Sequence, residues 1–379
     1  MLVLSNQYPN LLEPQMASFN RQQLAALASL CPLALVAPVA WPLLLKAGRL
    51  SLPAQERPFA TEWPAFWYLP RWMRRLHGRA FFQSAWPALR RRAAALEPNV
   101  LLATWLFPAG WAGLLAARRL GLPLVIKLHG SDLLVLKQDP TRLPYLRQTL
   151  AAANRVVAVG HPLAEEARAQ GARRVTVVPN GLNQELFAPA DQTKARNELD
   201  LPVQGRLLVF VGRLHPIKGP DLALEALAHL EEVKLIMVGG GAMENSLRQK
   251  TRELGIAGRV IWAGPQSHRK VPRYLAAADA LVLPSRSEGD PNAVLEALGC
   301  GRPVVAARVG GVAQAVSDGI NGALFPANDA SAMAEAIRWV LDRNWPPDQL
   351  NQAVAGRSWP ASAAALYQVL AEAVAEGPA

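Results

Sequence analysis

Cysteine is nearly missing from this chain: Cys31 and Cys300 are the two in 379 residues. Two thiols cannot build a disulfide framework or a four-ligand zinc site, so the economical reading is a reducing, cytoplasmic home. Long apolar runs are missing as well. None reaches the roughly 18 residues that span a bilayer. No basic segment with a long apolar core precedes the opening Leu2-Val3-Leu4-Ser5, so no signal peptide is expected and the chain reads as soluble or peripheral. Acids are scarce. With 29 Asp and Glu against 40 Lys and Arg, the net charge is +11, which favours an anionic partner such as a nucleotide, a phospholipid headgroup or nucleic acid. A P-loop is excluded, because Lys218 is followed by Gly219 rather than by Ser or Thr. There is no zinc pattern and no aromatic RNA motif, so no nucleic-acid partner is expected although the sequence pI is near 10.2.

What is present is the composition of a folded protein, with 51% hydrophobic and 18% charged residues. The length suffices for two domains, each with its own core. Strand-like and helix-like segments alternate. Strands are expected near 2–5, 33–39, 100–104, 123–128, 155–159 and 175–178, with helices near 19–30, 111–120, 143–154 and 162–170 between them. A second series follows the polar segment 191–200, with strands near 206–211, 233–238, 259–262, 280–283, 303–306 and 323–325. That rhythm predicts α/β architecture, two Rossmann-like parallel sheets with covering helices. The expected domains are 1–190 and 191–355, and the Ala-rich terminal segment 356–379 is expected to pack back on the first.

Residues 57–92 break the rhythm. They hold eight arginines (57, 71, 74, 75, 79, 90, 91, 92), nine aromatics and one acid, Glu62. Arginine beside tryptophan suits a surface that meets anionic lipid headgroups. A helical hairpin whose aromatics fill the first domain's core has the same composition.

The polar clusters fall at the carboxyl ends of the expected strands, where ligands bind in open parallel sheets. The most informative is the turn after 280–283, from Ser285 through Glu288 to Glu296. Asp290 and Pro291 read as the N-cap and first residue of a helix over 292–298, with the N–H groups of Asn292, Ala293 and Val294 directed at the loop. Carboxylates at Glu288 and Glu296 suit sugar hydroxyls, and a helix start suits a phosphate. Arg213 and Lys218, after 206–211, supply a fork and a point charge for a diphosphate. His129 and Asp132 follow the strand at 123–128, and Asp132 reads equally as a turn cap. Asn180 follows 175–178, while Gly264 and Pro265 follow 259–262. Gly239-Gly240-Gly241 needs no ligand to be explained, since a strand-to-helix turn accounts for it. Cys300 reads as a small buried residue.

These residues resemble the retaining glycosyltransferases of family 4, which have the two-domain GT-B fold. The likeness is carried by Glu288 and Glu296 in Glu-Gly-Asp-Pro-Asn-Ala-Val-Leu-Glu, by Val211-Gly212-Arg213-Leu214 with Lys218-Gly219, and by Tyr274 to Asp279. Gly310-Gly311-Val312, Asp318 to Gly322, Val178 to Gly181 and His129 to Asp132 extend it. The resemblance implies two Rossmann-like domains facing each other across a cleft and a hexosyltransferase acting with retention. Arg213 and Lys218 would hold the diphosphate of a UDP- or GDP-linked sugar, and Glu296 the ribose. Glu288 would meet the donor sugar, with the backbone of Gly289, Asp290, Pro291, Asn292 and Ala293 against sugar and phosphate. His129 would face the reacting centre. No Asp-x-Asp occurs, so no metal and no further cofactor is expected. The acceptor would be a cell-surface glycan or a lipid-linked sugar, reached from the cytoplasmic face of a membrane. A nucleotide-sugar epimerase or a phosphorylase on the same fold is the alternative. One departure stands out: residues 6–18 hold no glycine, where the family commonly has a Gly-Gly loop.

Overall fold

Short apolar runs form the strands of the computed structural model, and nearly all of them are buried on both faces, as parallel sheets under helices require. Residues 1–56, 58–69 and 76–378 are described. The chain divides into two units, one made of Met1–Gly181 and the chain from Trp359 on, the other of Leu182–Ser358.

The first unit contains β1 (Leu2–Ser5), β2 (Ala34–Val36), β3 (Val39–Ala40), β4 (Ala60–Glu62), β5 (Ala65–Phe66), β6 (Leu101–Thr104), β7 (Leu124–Leu128), β8 (Arg155–Ala158) and β9 (Val175–Val177). Seven of these form a parallel sheet in the order β4-β2-β1-β6-β7-β8-β9, and β3 pairs with β5. The strand order reverses between β1 and β6. Alternate residues serve two cores: Leu2, Leu4 and Ile126 on one face, Val3, Leu102 and Val125 on the other. The terminal helix Trp359–Glu376 packs Ala363, Leu366, Leu370 and Ala373, spaced at three and four residues, into the second of these cores.

The second unit contains β10 (Arg206–Val211), β11 (Val233–Val238), β12 (Val260–Gly264), β13 (Ala280–Leu283), β14 (Val304–Ala307) and β15 (Gly322–Phe325). They form one parallel sheet in the doubly wound order β12-β11-β10-β13-β14-β15, with its reversal between β10 and β13. The first unit ends at Gly181 rather than 190, because Leu182 donates its N–H to the Arg357 carbonyl at 2.9 Å and Phe187 is buried in the second core. The polar segment expected as a linker holds the helix Gln192–Glu198, capped by Asp191.

The described residues between 58 and 92 do not form a helical hairpin. They supply β4, β5 and the start of one long helix, His77–Leu96. Phe59, Trp63, Phe81 and Phe82 are buried, and Arg92 pairs with Glu62 at 2.7 Å and with Glu56 at 2.8 Å. Arg57, Arg71, Trp72, Arg74 and Arg75 lie outside the described residues. Among the described residues, no helix is long and apolar enough to cross a membrane.

Candidate functional site

In the second unit, the loops that follow β10 and β13 meet at the reversal of strand order. The turn after β10 closes in Pro216–Lys218 and then Gly219, whose φ is +63°. A Cβ on Gly219 would lie 2.1 Å from the Pro284 carbonyl oxygen, so only glycine lets the two loops touch. Arg286 reinforces that contact. Its N–H donates to the Ile217 carbonyl at 2.7 Å, and its guanidinium grips Asp221 through two bonds of 3.0 and 2.8 Å. The Arg286 guanidinium also holds the Asp221 carboxyl below its ordinary value against the opposing effect of burial, which is the larger single influence.

That clamp brings Lys218 and Glu288 together. The Lys218 ammonium donates to Glu288 Oε1 at 2.6 Å, and the buried Ser285 hydroxyl donates to the same oxygen at 2.6 Å. The glycine pair after β14 supports the loop from behind: a Cβ on Gly310 would lie 2.0 Å from the Glu288 carbonyl oxygen, and one on Gly311 1.8 Å from that of Gly289. Arg213 stands exposed on the β10 loop with no ion-pair partner among the described residues. It is the cation left available on that loop.

The helix after this loop runs Asn292–Gly299. Pro291 is its N-cap with an extended backbone and not its first helical residue, and Asp290 does not cap it. The Asp290 carboxylate, 7% exposed, pairs with Arg357 at the far end of the second unit's sequence. Val294 donates its N–H to the Pro291 carbonyl at 3.0 Å, so the N–H groups of Asn292 and Ala293 remain at the helix start. Glu296 lies one turn along, 13% exposed, with His268 Nδ1 at 3.8 Å from its Oε1. Burial pushes its carboxyl up to about 7. His268, whose ring packs on Phe187 with centroids 5.1 Å apart, was not signalled by any motif. Neither was Arg357, nor the Ser285 bond.

Gly239, Gly240 and Gly241 serve backbone packing. A Cβ on Gly239 would lie 1.8 Å from the Gly212 carbonyl oxygen, and one on Gly241 2.4 Å from that of Leu214. Gly264, with φ at +66°, accepts the Gly239 N–H at 2.9 Å, and Pro265 packs beside Gly240. Cys300 is fully buried, as a small core residue should be.

In the first unit, His129 follows β7 and lies between Phe19, at 4.7 Å between ring centroids, and Trp105, at 6.0 Å. Both ring nitrogens are buried without a hydrogen-bond partner among the described residues. Burial, with the nearby Lys127 ammonium, holds the imidazole well below its ordinary value and so neutral. Trp105 carries φ at +90°, a left-handed backbone unusual for a bulky residue. Asp132 is not a site carboxylate. It is fully buried and accepts the N–H groups of Leu106, His129 and Gly130 at 3.0, 3.1 and 2.9 Å, while burial lifts its carboxyl to about 6. Its role is to pin the His129 loop. Asn180 is buried in the turn after β9.

Residues 191–358 match the family of glycosyl transferases group 1, and residues 47–186 match glycosyltransferase family 4. D-inositol 3-phosphate glycosyltransferase from Acidothermus cellulolyticus is 35% identical over 275 residues, covering 66% of this chain and 61% of that protein. The chain spans about three fifths of the length of the curated relatives it matches. Sucrose-phosphate synthase from Thermosynechococcus elongatus superposes with a TM-score of 0.85 at 22% identity over 99% of both chains. Anabaena HepE, solved with UDP-glucose, gives 0.76 at 23% identity over 99% of both.

Proposed function

Because this chain belongs to glycosyltransferase family 4 and has its GT-B fold, we propose that it moves a sugar from a nucleotide-sugar donor to an acceptor hydroxyl. The observation that carries the reading is the Lys218–Glu288 pair at 2.6 Å, straddling the reversal of strand order with Arg213 free beside it. A diphosphate arriving there meets Arg213 and draws Lys218 from Glu288, which is then released toward the donor sugar. Glu296 receives the ribose hydroxyls. The backbone of Gly289 to Ala293 lies against sugar and phosphate. Departure of the diphosphate leaves an oxocarbenium-like carbon, and the cations and the start of the helix Asn292–Gly299 stabilise the charge on the leaving group. In this reading the enzyme is a retaining hexosyltransferase, protein cations do the work of a metal, and neutral His129 is the first unit's contribution.

The Anabaena protein solved with UDP-glucose supports UDP as the first donor base to test, with GDP second. We assign the acceptor to a cell-surface glycan or lipid-linked sugar on the cytoplasmic side of a membrane. Leu45, Leu50, Trp67 and Leu69 are each at least half exposed in the first unit, which supports peripheral contact with a bilayer. Unpaired Cys31 and Cys300 agree with a reducing compartment.

The test is turnover with UDP-glucose and GDP-mannose in the presence of EDTA, after a thermal-shift screen of nucleotide sugars. Lys218→Ala and Glu296→Ala should each lower turnover at least ~100-fold. Wild-type protein that no nucleotide sugar stabilises overturns the reading. Product formed from donor alone points to an epimerase instead. Flotation with anionic vesicles checks the membrane part: Trp67→Ala with Leu69→Ala should reduce it, and wild-type protein that stays unbound refutes it.

A further inference from the structure

β7 reads Leu-Val-Ile-Lys-Leu, an apolar strand with one charge in it, and Lys127 is as fully buried as its neighbours. A charge in such a place is costly unless hydrogen bonds meet it. Lys127 stands two positions before His129, and the alternation of an extended chain sends both side chains toward one face. The same helix, Ser18–Ala28, meets both of them.

Phe19 and Gln23 lie four residues apart on that helix, so they are neighbours on its surface. The Phe19 ring rests against the His129 imidazole, and Gln23 Oε1 accepts a hydrogen bond from the Lys127 ammonium. Gln23 Nε2 in turn donates to Ser362 Oγ at 3.1 Å, and the Ser362 hydroxyl donates to the Pro179 carbonyl at 2.6 Å. Gln23 and Ser362 are both buried. Ser362 belongs to the terminal helix and Pro179 to the turn after β9, so one buried polar chain joins four segments of the first unit.

The imidazole needs such support. Both its ring nitrogens lack a hydrogen bond among the described residues, so its orientation rests on the rings of Phe19 and Trp105. Each of these is anchored at Lys127: Phe19 through Gln23 to the ammonium, Trp105 through its own N–H, which donates to the Lys127 carbonyl at 2.9 Å. The helix Ser18–Ala28 has no side-chain cap at its start, where Ala17 takes φ +43°. Its placement therefore depends on what it touches. Leu24 and Leu27 fill the core, but apolar contact is non-directional, whereas a satisfied buried polar chain fixes one arrangement.

We propose that Lys127 and Gln23 are positioning residues for His129, holding the Phe19 and Trp105 rings that orient its imidazole, and that the terminal helix joins this device through Ser362. This rests on the functional reading above, in which His129 is the first unit's contribution to transfer.

The experiment pairs steady-state release of UDP from UDP-glucose, with methyl α-glucoside or water as acceptor, with proton NMR of the histidine-labelled full chain. Gln23→Leu removes both side-chain bonds. It should lower kcat about 30-fold, as a misplaced group does. The UDP-glucose concentration at half-maximal rate should change less than about 2-fold, because the second unit holds the donor. Gln23→Glu keeps an oxygen for Lys127 and should stay within about 3-fold of wild-type kcat. Leu24→Ala, buried in the same core, is the stability control: it should lower Tm at least as far as Gln23→Leu and leave kcat within about 2-fold. The His129 ring protons, shifted by the neighbouring aromatic rings, should move in Gln23→Leu and hold in Gln23→Glu. The inference is overturned if folded Gln23→Leu keeps wild-type kcat, if kcat falls alike in Gln23→Leu and Leu24→Ala, or if the His129 protons do not move. Loss of turnover in His129→Ala with none in Gln23→Leu refutes this inference alone. Full turnover in His129→Ala, or no turnover of any donor by the wild type, refutes the functional reading, and the ring protons then decide the positioning by themselves.

Discussion

Glu296 is a carboxylate placed where it weakens the ligand-free chain. Its unfolded value is 4.5 and its folded value about 7, because burial disfavours the charge. Below about pH 4.5 both states hold the proton and its stabilising contribution is full. As pH rises through 7 the folded chain must surrender that proton, and up to about 3 kcal/mol is lost. Glu296→Gln should therefore raise Tm at pH 8 and change it little at pH 5, while nucleotide binding falls. Equal shifts at both pH values would contradict this account. Glu288 and Glu296 were legible from their spacing in one turn. His268 and Arg357 were not, because each reaches its partner from a distant loop with no motif of its own.

At the level of elements, glycine does the positioning. The loops after β10, β11, β13 and β14 meet backbone to backbone, and at Gly311 an added methyl would lie 1.8 Å from the Gly289 carbonyl oxygen. Gly311→Ala should cost about 2–3 kcal/mol in urea denaturation and weaken nucleotide binding, since the Glu288 loop must shift. Gly258→Ala, with nothing within 4 Å of the added methyl, is the control and should be near neutral. The helix start was misjudged at Asp290 for a related reason. An Asp-Pro pair signals a cap locally, but Arg357 offers Asp290 a charged partner and the cap is forgone.

For the whole molecule, the terminal helix is the element with the largest consequence. Leu366 is fully buried and Leu370 3% exposed, in the core that also holds Val3, Leu24 and Val125. Leu366→Ala should destabilise the first unit by about 2–4 kcal/mol, read as an earlier thermal transition that UDP-glucose does not restore to its wild-type midpoint. Ending the chain before Trp359 should leave that unit insoluble, because stability of about 5–15 kcal/mol does not survive exposure of a whole core face.

By itself the sequence determined the period of the elements, the two parallel sheets and the two acids with their cation loop. These follow from apolar runs of strand length, strand-end polarity and short-range spacing, all properties of neighbouring residues. Tertiary structure decided the rest. Lys218 rests on Glu288 although 70 positions separate them, and Asp132 turns inward to three N–H groups. The described part of 57–92 becomes sheet edge and one helix, and the glycine-free first loop walls a cavity. Each depends on which distant backbone or charge arrives beside it, and no local pattern encodes that.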